Sequence, residues 1–218
     1  MKKLIIFDLD GTILNTISDM TNSMNYLLNY LKASLITEDD MKGAMNKGRR
    51  YLIETALGRK ISDEENSRYQ KIYNDYYFSN KNILTKPYDG IVTLLDNLKN
   101  AGYLLAVCSN KLHNATAGLV EEIFPNTFDY VLGSSNKFSR KPHPEMLVHI
   151  LQKLDVIKDN TIYIGDTEAD MKAASNADIY KIAALYGFGK KEKLLKHNPD
   201  AVVDKPEEIY DLVIKHFK

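Results

Sequence analysis

Three apolar runs in this chain stop at residues able to do chemistry. Leu4-Ile5-Ile6-Phe7 breaks into Asp8-Leu9-Asp10-Gly11-Thr12. Tyr103-Leu104-Leu105-Ala106-Val107-Cys108 ends at Ser109-Asn110, and Thr161-Ile162-Tyr163-Ile164 ends at Gly165-Asp166, with Asp170 four residues further on. A basic segment, Arg140-Lys141-Pro142, lies between the second and third groups. Carboxylates gathered at one place repel one another and must share a proton or bind a cation. An all-oxygen donor set without thiolates or paired histidines favours Mg²⁺, which keeps several waters and suits substrate phosphates. Asp8 and Asp10 are two apart, so along a continued strand they share one side with Leu9 opposite. Gly11 permits a sharp turn, and Thr12 offers a hydroxyl and a backbone N–H. If a helix begins near Thr167, Asp166 and Asp170 are neighbours on one face.

The elements that carry these groups follow from periodicity. Several of the apolar runs are continuous rather than alternating, as strands buried on both faces of a parallel sheet are. A fourth, Ile179–Ala184, runs towards Gly187. Helical patterns lie between them: residues 90–101 align Ile91, Leu94, Leu95 and Leu98, and residues 144–154 align Met146, Leu147, Ile150, Leu151 and Leu154. A last helix opens at Pro206 and aligns Ile209, Leu212, Val213 and Phe217. Strands alternating with helices predict a Rossmann-like, doubly wound α/β sheet, whose ligands bind beyond the carboxyl ends of its strands. Residues 17 to about 84 break the alternation with helical stretches alone, including a stripe of Tyr69, Ile72, Tyr73, Tyr76 and Tyr77 that reads as core. An all-helical domain, 16–86, is therefore expected inside a core formed by 1–15 and 87–218.

Composition narrows the function classes. The 218 residues carry 29 Lys+Arg against 29 Asp+Glu, so no global field gathers nucleic acid or an anionic membrane surface. The single cysteine, Cys108, excludes an internal disulfide framework and multi-thiolate zinc sites, and its place in an apolar strand reads as packing. No stretch approaches the ~20 apolar residues of a membrane span. A cytoplasmic protein, monomeric or homodimeric, is expected, with neither nucleic acid nor membrane as partner. The five histidines show no metal spacing; His143, just after Lys141-Pro142, reads as loop structure. Lys190–Lys196 reads as a solvated helix.

Asp8-Leu9-Asp10-Gly11-Thr12-Ile13-Leu14-Asn15 closely resembles the first motif of the haloacid dehalogenase-like superfamily of phosphatases. Ser109-Asn110 resembles its second motif, Lys141 its third, and Gly165-Asp166-Thr167-Glu168-Ala169-Asp170 its fourth. Asn15 stands where many relatives have Asp. The resemblance spans the chain, since the helical insertion sits where one subgroup carries a cap domain that closes over substrate. It implies that Asp8 is the nucleophile that forms an aspartyl-phosphate, and that Asp10 is the acid and base. It implies Mg²⁺ held by Asp8, the backbone carbonyl of Asp10 and Asp166, with Asp170 as a further ligand or orienting residue. Thr12, Ser109, Asn110 and Lys141 are implied around the phosphoryl oxygens. Asp at position 10 points to phosphoryl transfer rather than dehalogenation.

For substrate, Met45-Asn46-Lys47-Gly48-Arg49-Arg50 resembles the cap loop of phosphoglycolate phosphatase-like relatives, and Arg49 or Arg50 is expected to grip a second anionic group on a small phosphorylated metabolite. A solvated basic helix start is the competing reading of these arginines. A hexose-phosphate mutase and a pyrophosphatase share the same reacting residues and stay open, as does a silent ligand-binding protein that keeps the fold.

Overall fold

A computed structural model describes residues 2–44, 48–80 and 83–218. The chain folds into two compact units, one of Met1–Asn15 with Pro87–Lys218 and the other of Thr16–Lys86. Two-residue strands at Leu14–Asn15 and Lys86–Pro87 mark where the chain leaves the first unit and returns to it.

The first unit is a six-stranded sheet. Its strands are β1 (Leu4–Phe7), β2 (Leu104–Leu112), β3 (Tyr130–Ser134), β4 (Thr161–Gly165), β5 (Tyr180–Ala184) and β6 (Ala201–Val203), in the order β3-β2-β1-β4-β5-β6, all parallel. The order reverses between β1 and β4, where open α/β sheets form their ligand crevice. β1 is buried on both faces, and its parity sorts the core. Ile5, Phe7 and Leu9 join one apolar cluster with the helices Ile91–Asn100, His113–Ile123 and Glu208–His216. Leu4 and Ile6 join the other, with the helices Glu145–Leu154 and Glu168–Asn176. Alternation thus continues two residues past the strand, to Leu9, which puts Asp8 on the opposite side.

Three sequence-derived boundaries shift. β2 does not stop at Cys108 but pairs with β3 as far as Leu112, across a register irregularity after Ser109. The helix of the fourth motif starts at Glu168 with Thr167 as its N-cap, so Asp166 lies outside it and only Asp170 is helical. The last helix starts at Glu208 rather than Pro206.

The second unit holds four helices among its described residues: α1 (Ile17–Tyr30), α2 (Glu38–Ala44), α3 (Arg49–Leu57) and α4 (Asp63–Ser79). α1 and α4 pack together, burying Met24, Leu27 and Leu28 with Tyr69, Tyr73 and Tyr77, while Tyr26 and Tyr76 stack at 4.1 Å. Buried Asp19 accepts from the N–H and hydroxyl of Thr85 at 2.8 and 2.6 Å, fastening the start of α1 to the returning segment. In α3, Glu54 accepts from Lys60 at 2.7 Å, from the Ile61 N–H at 3.3 Å and from Arg50 at 3.2 Å. The Lys60 contact above all holds the Glu54 carboxyl down at about 2. A depressed carboxylate stabilises the fold above its unfolded value of 4.5, and that contribution disappears as pH falls towards 2. Thermal melts of Glu54→Gln should therefore lie below wild type at pH 7, with the gap closing between pH 4.5 and pH 2. A gap that persists at pH 2 would show that Glu54 acts through packing instead.

Candidate active site

β1 delivers the first acids and β4 the second pair. The Asp8 N–H donates to the Ile164 carbonyl at 2.9 Å, which locks the end of β1 to β4. The chain then turns tightly, with the amides of Thr12, Ile13 and Leu14 all pointing at the Leu9 carbonyl. Gly11 sits at φ +92°, and a Cβ there would lie 2.3 Å from the Asp166 carboxylate. A Cβ at Gly187 would lie 2.3 Å from both Asp166 and the Gly11 carbonyl. Glycine is thus required at these two positions by close approach, and at Gly11 by conformation as well.

Oxygens of Asp8, Asp166 and Asp170 lie within 4.8 Å of one another, all three residues buried; among the described residues this is the acidic group able to hold a metal ion. Lys141 reaches into the cluster. Its ammonium donates to Asp8 and Asp170 at 2.7 Å each and to the Tyr163 hydroxyl and the Cys108 carbonyl at 2.9 Å each. Tyr163 in turn donates to Asp170 at 2.7 Å. Asp166 accepts from the Thr12 hydroxyl at 2.9 Å and from the Phe188 N–H at 2.7 Å. Asp170 also forms a capping box with Thr167, whose N–H and hydroxyl donate to it at 2.9 and 2.5 Å. Asp10 is buried two residues from Asp8 and pairs with Lys111 at 2.9 Å.

Burial drives the Asp8 carboxyl up to about 7, against the pull of Lys141 and with repulsion from Asp170 and Asp10. Burial, then the charges of Asp8 and Asp170, push Asp166 well above the carboxylate range. Asp170 is buried as deeply, but the Lys141 charge and the hydrogen bonds of Lys141, Thr167 and Tyr163 outweigh desolvation and hold it low. For Lys141, burial opposes its charge, and Asp170 and Asp8 more than restore it, so its pKa is raised. Four carboxylates here meet two ammonium groups. Two negative charges remain, to be neutralised by protons or by a divalent cation. An all-oxygen pocket of this charge fits a hard cation of Mg²⁺ type.

Asp8, Asp10, Lys141, Asp166 and Asp170 come together as the sequence places them on the sheet edge. Ser109 is beside them, its hydroxyl accepting from the Lys111 N–H at 3.1 Å. Thr12 gives its hydroxyl to Asp166, and Asn110 commits both ends of its amide to the Lys141 main chain, at 2.9 Å each. Each of these two side chains is thus hydrogen-bonded to another of the residues named above. Of the segment 45–50, Met45, Asn46 and Lys47 lie outside the described residues. Arg49 donates to Asn74 at 2.7 Å and lies over the Tyr73 ring, and Arg50 contacts Glu54, Asp63 and the Ile61 carbonyl. His143 is exposed beside Glu145, and Cys108 is buried, its thiol pushed up to about 12 by desolvation.

Three contributors escape sequence reasoning. Tyr163 reads as one more apolar strand residue, although a buried phenol demands a polar partner, and that demand points at Lys141 and Asp170. Lys111 follows Ser109-Asn110 directly, but its reach to Asp10 depends on strand geometry. Phe188 acts through its backbone N–H, which leaves no trace in residue type.

Removing the ammonium while leaving its buried partners is expected to cost about 3–5 kcal/mol. Lys141→Met should show this as a lower denaturant midpoint at unchanged slope, measured without divalent cations. Asp8→Asn removes one of the repelling charges and should be at least as stable as wild type. Equal stability of Lys141→Met and wild type would refute the ion-pair account of the cluster.

The family profile described as haloacid dehalogenase-like hydrolase matches residues 5–184. A phosphoglycolate phosphatase of Aquifex aeolicus is 29% identical over 215 residues, 98% of each chain. One from Mesorhizobium japonicum is 28% identical over 206 residues, 93% of this chain and 90% of its own. A crystal structure from Lactobacillus delbrueckii subsp. bulgaricus, provisionally named a phosphoglycolate phosphatase, superposes with a TM-score of 0.85 at 34% identity, covering 98% of this chain and 99% of that one. A haloacid dehalogenase-like family protein of Streptococcus pneumoniae gives a TM-score of 0.85 at 26% identity, covering 100% and 99%. With the first-, second-, third- and fourth-motif residues gathered at the switch point of its sheet, the chain belongs to the haloacid dehalogenase-like hydrolases and, within them, is phosphoglycolate phosphatase-like.

Proposed function

We propose that the protein is a Mg²⁺-dependent phosphomonoester hydrolase acting on a small phosphorylated metabolite, of which phosphoglycolate is the foremost. The observation that carries this reading is the buried Asp8–Lys141–Asp170 array, with Asp166 beside it and Asp10 two residues on. Asp8 and Asp166, with Asp170 as a further or orienting acid and the Asp10 carbonyl, are the groups that would hold the ion. Mg²⁺, when bound, supplies positive charge to a phosphoryl group and keeps the acids ionised.

In this reading the Asp8 carboxylate attacks phosphorus. A P–O bond forms to Asp8, the bond to the ester oxygen breaks, and Asp10 protonates the departing oxygen. Water then attacks the aspartyl-phosphate, giving its proton to Asp10 and restoring both residues. Lys141 holds Asp8 in place and meets the charge that develops on the phosphoryl oxygens, the main task of phosphoryl transfer catalysts. Ser109, whose hydroxyl accepts from the Lys111 N–H, is assigned the same task. Relatives named phosphoglycolate phosphatases match nearly end to end, which favours a hydrolase over a mutase or a pyrophosphatase. The helical unit, 16–86, is assigned the role of a cap, and Arg49 or Arg50 that of a substrate contact within it.

The test is phosphate release from phosphoglycolate, pyrophosphate, sugar phosphates, nucleotides and an aryl phosphate, with Mg²⁺ and with chelator. Release is expected with Mg²⁺ alone, highest on phosphoglycolate. Asp8→Asn should lower it by at least about a thousandfold and Asp10→Asn by about 10²–10⁴-fold. Wild-type rates in Asp8→Asn would defeat the assignment. Retained aspartyl-phosphate with a sugar bisphosphate requirement would replace it with the mutase.

A further inference from the structure

The sheet is irregular beside Asp10. β2 and β3 pair residue for residue from Ala106↔Tyr130 to Ser109↔Gly133, and then Leu112 faces Ser134. Asn110 and Lys111 are therefore two extra residues in β2. A bulge re-aims the side chains it inserts, and bulges gather beside active sites. Both inserted side chains are put to use. Asn110 clamps the main chain of Lys141, and the Lys111 ammonium reaches Asp10 at 2.9 Å. The Lys111 backbone is held at both ends, its N–H by the Ser109 hydroxyl at 3.1 Å and its carbonyl by the Thr116 hydroxyl at 3.2 Å. Its side chain is only 10% exposed.

Sinking an ammonium this far costs free energy unless anions meet it. The nucleophile Asp8 already has Lys141, so Lys111 serves the other end of the reaction, where the leaving group departs. Asp10 must come within hydrogen-bond reach of the ester oxygen it protonates. An ammonium bonded to Asp10 then lies within reach of an anion carried two bonds from that oxygen. Its three donors radiate from one nitrogen, so holding Asp10 and meeting a substrate carboxylate are compatible.

We infer that Lys111 is a specificity-determining residue that selects leaving groups bearing a carboxylate on the carbon bonded to the ester oxygen. The inference rests on the phosphatase reading above and deepens it. It adds a grip on that anion from the catalytic unit itself to the contact assigned to Arg49 or Arg50, of which Arg50 is already engaged by Glu54, Asp63 and Ile61.

The experiment compares kcat/KM for phosphoglycolate, for 3-phosphooxypropionate, whose carboxylate is one carbon further away, and for ethyl phosphate, which has none. Wild type is expected to prefer phosphoglycolate to ethyl phosphate, with a smaller preference for the longer acid. Lys111→Met should shrink the phosphoglycolate-to-ethyl phosphate preference by at least about tenfold, chiefly through KM on phosphoglycolate. Lys111→Arg should keep part of it. Loss by one common factor on all three substrates would overturn the inference and leave Lys111 as a support for Asp10. Wild type without any preference would overturn it too. Lys111→Gln gives the same comparison if the methionine variant does not fold. Failure of wild type to release phosphate from an aryl phosphate with Mg²⁺ would be a separate result, against the phosphatase reading.

Discussion

A shortage of positive charge organises this protein. Three buried aspartates converge at the carboxyl ends of two neighbouring strands, and one lysine, itself almost fully buried, stands between two of them. Like charges packed in a low-dielectric interior repel far more strongly than in water, so the arrangement depends on the partners that hold its oxygens, both of Asp166, both of Asp170 and one of Asp8. Thr12, Tyr163, Thr167 and the Phe188 amide are those supports. The same deficit fits the pocket to a cation, and the reaction proposed for it brings a phosphoryl group whose negative charge must be met at that spot.

The fold supplies the precision this needs. β1 and β4 are adjacent because the sheet is wound in opposite directions from β1, and the acids at their ends face each other as a result of that topology. The approach is so close that side chains at Gly11 or Gly187 would collide with Asp166. A set of acids held on strand ends and a capped helix, rather than on long loops, keeps its geometry without a ligand to shape it.

Much of this is legible in the residues. Continuous apolar runs mark the buried strands, the helical stripes mark their partners, and the pattern changes at 15–17 and near 86, close to the limits of the two compact units. The acids that converge are visible because each ends a strand or opens a helix. What stays hidden depends on geometry that residue type does not encode. A two-residue bulge in β2 moves the end of that strand and gives Lys111 and Asn110 their directions. That the Thr12 hydroxyl meets Asp166 is likewise set by the turn and not by residue type. The ion pairs of Arg50 with Glu54 and Asp63 depend in the same way on how the helical unit folds.

Asp170 belongs at once to the charge cluster and to the capping box that starts its helix. Asp8 and Asp10 cap no helix among the described residues, and the turn beside them takes its shape from Gly11 and the Leu9 carbonyl. Under the proposed reaction, loss of catalysis and loss of structure are therefore separable at the first pair and inseparable at Asp170. Descendants of this chain that abandon the reaction but keep the fold, as pseudoenzymes do, have an open route through positions 8 and 10. At position 170 the same drift would loosen the helix, and selection for folding alone would preserve the acid.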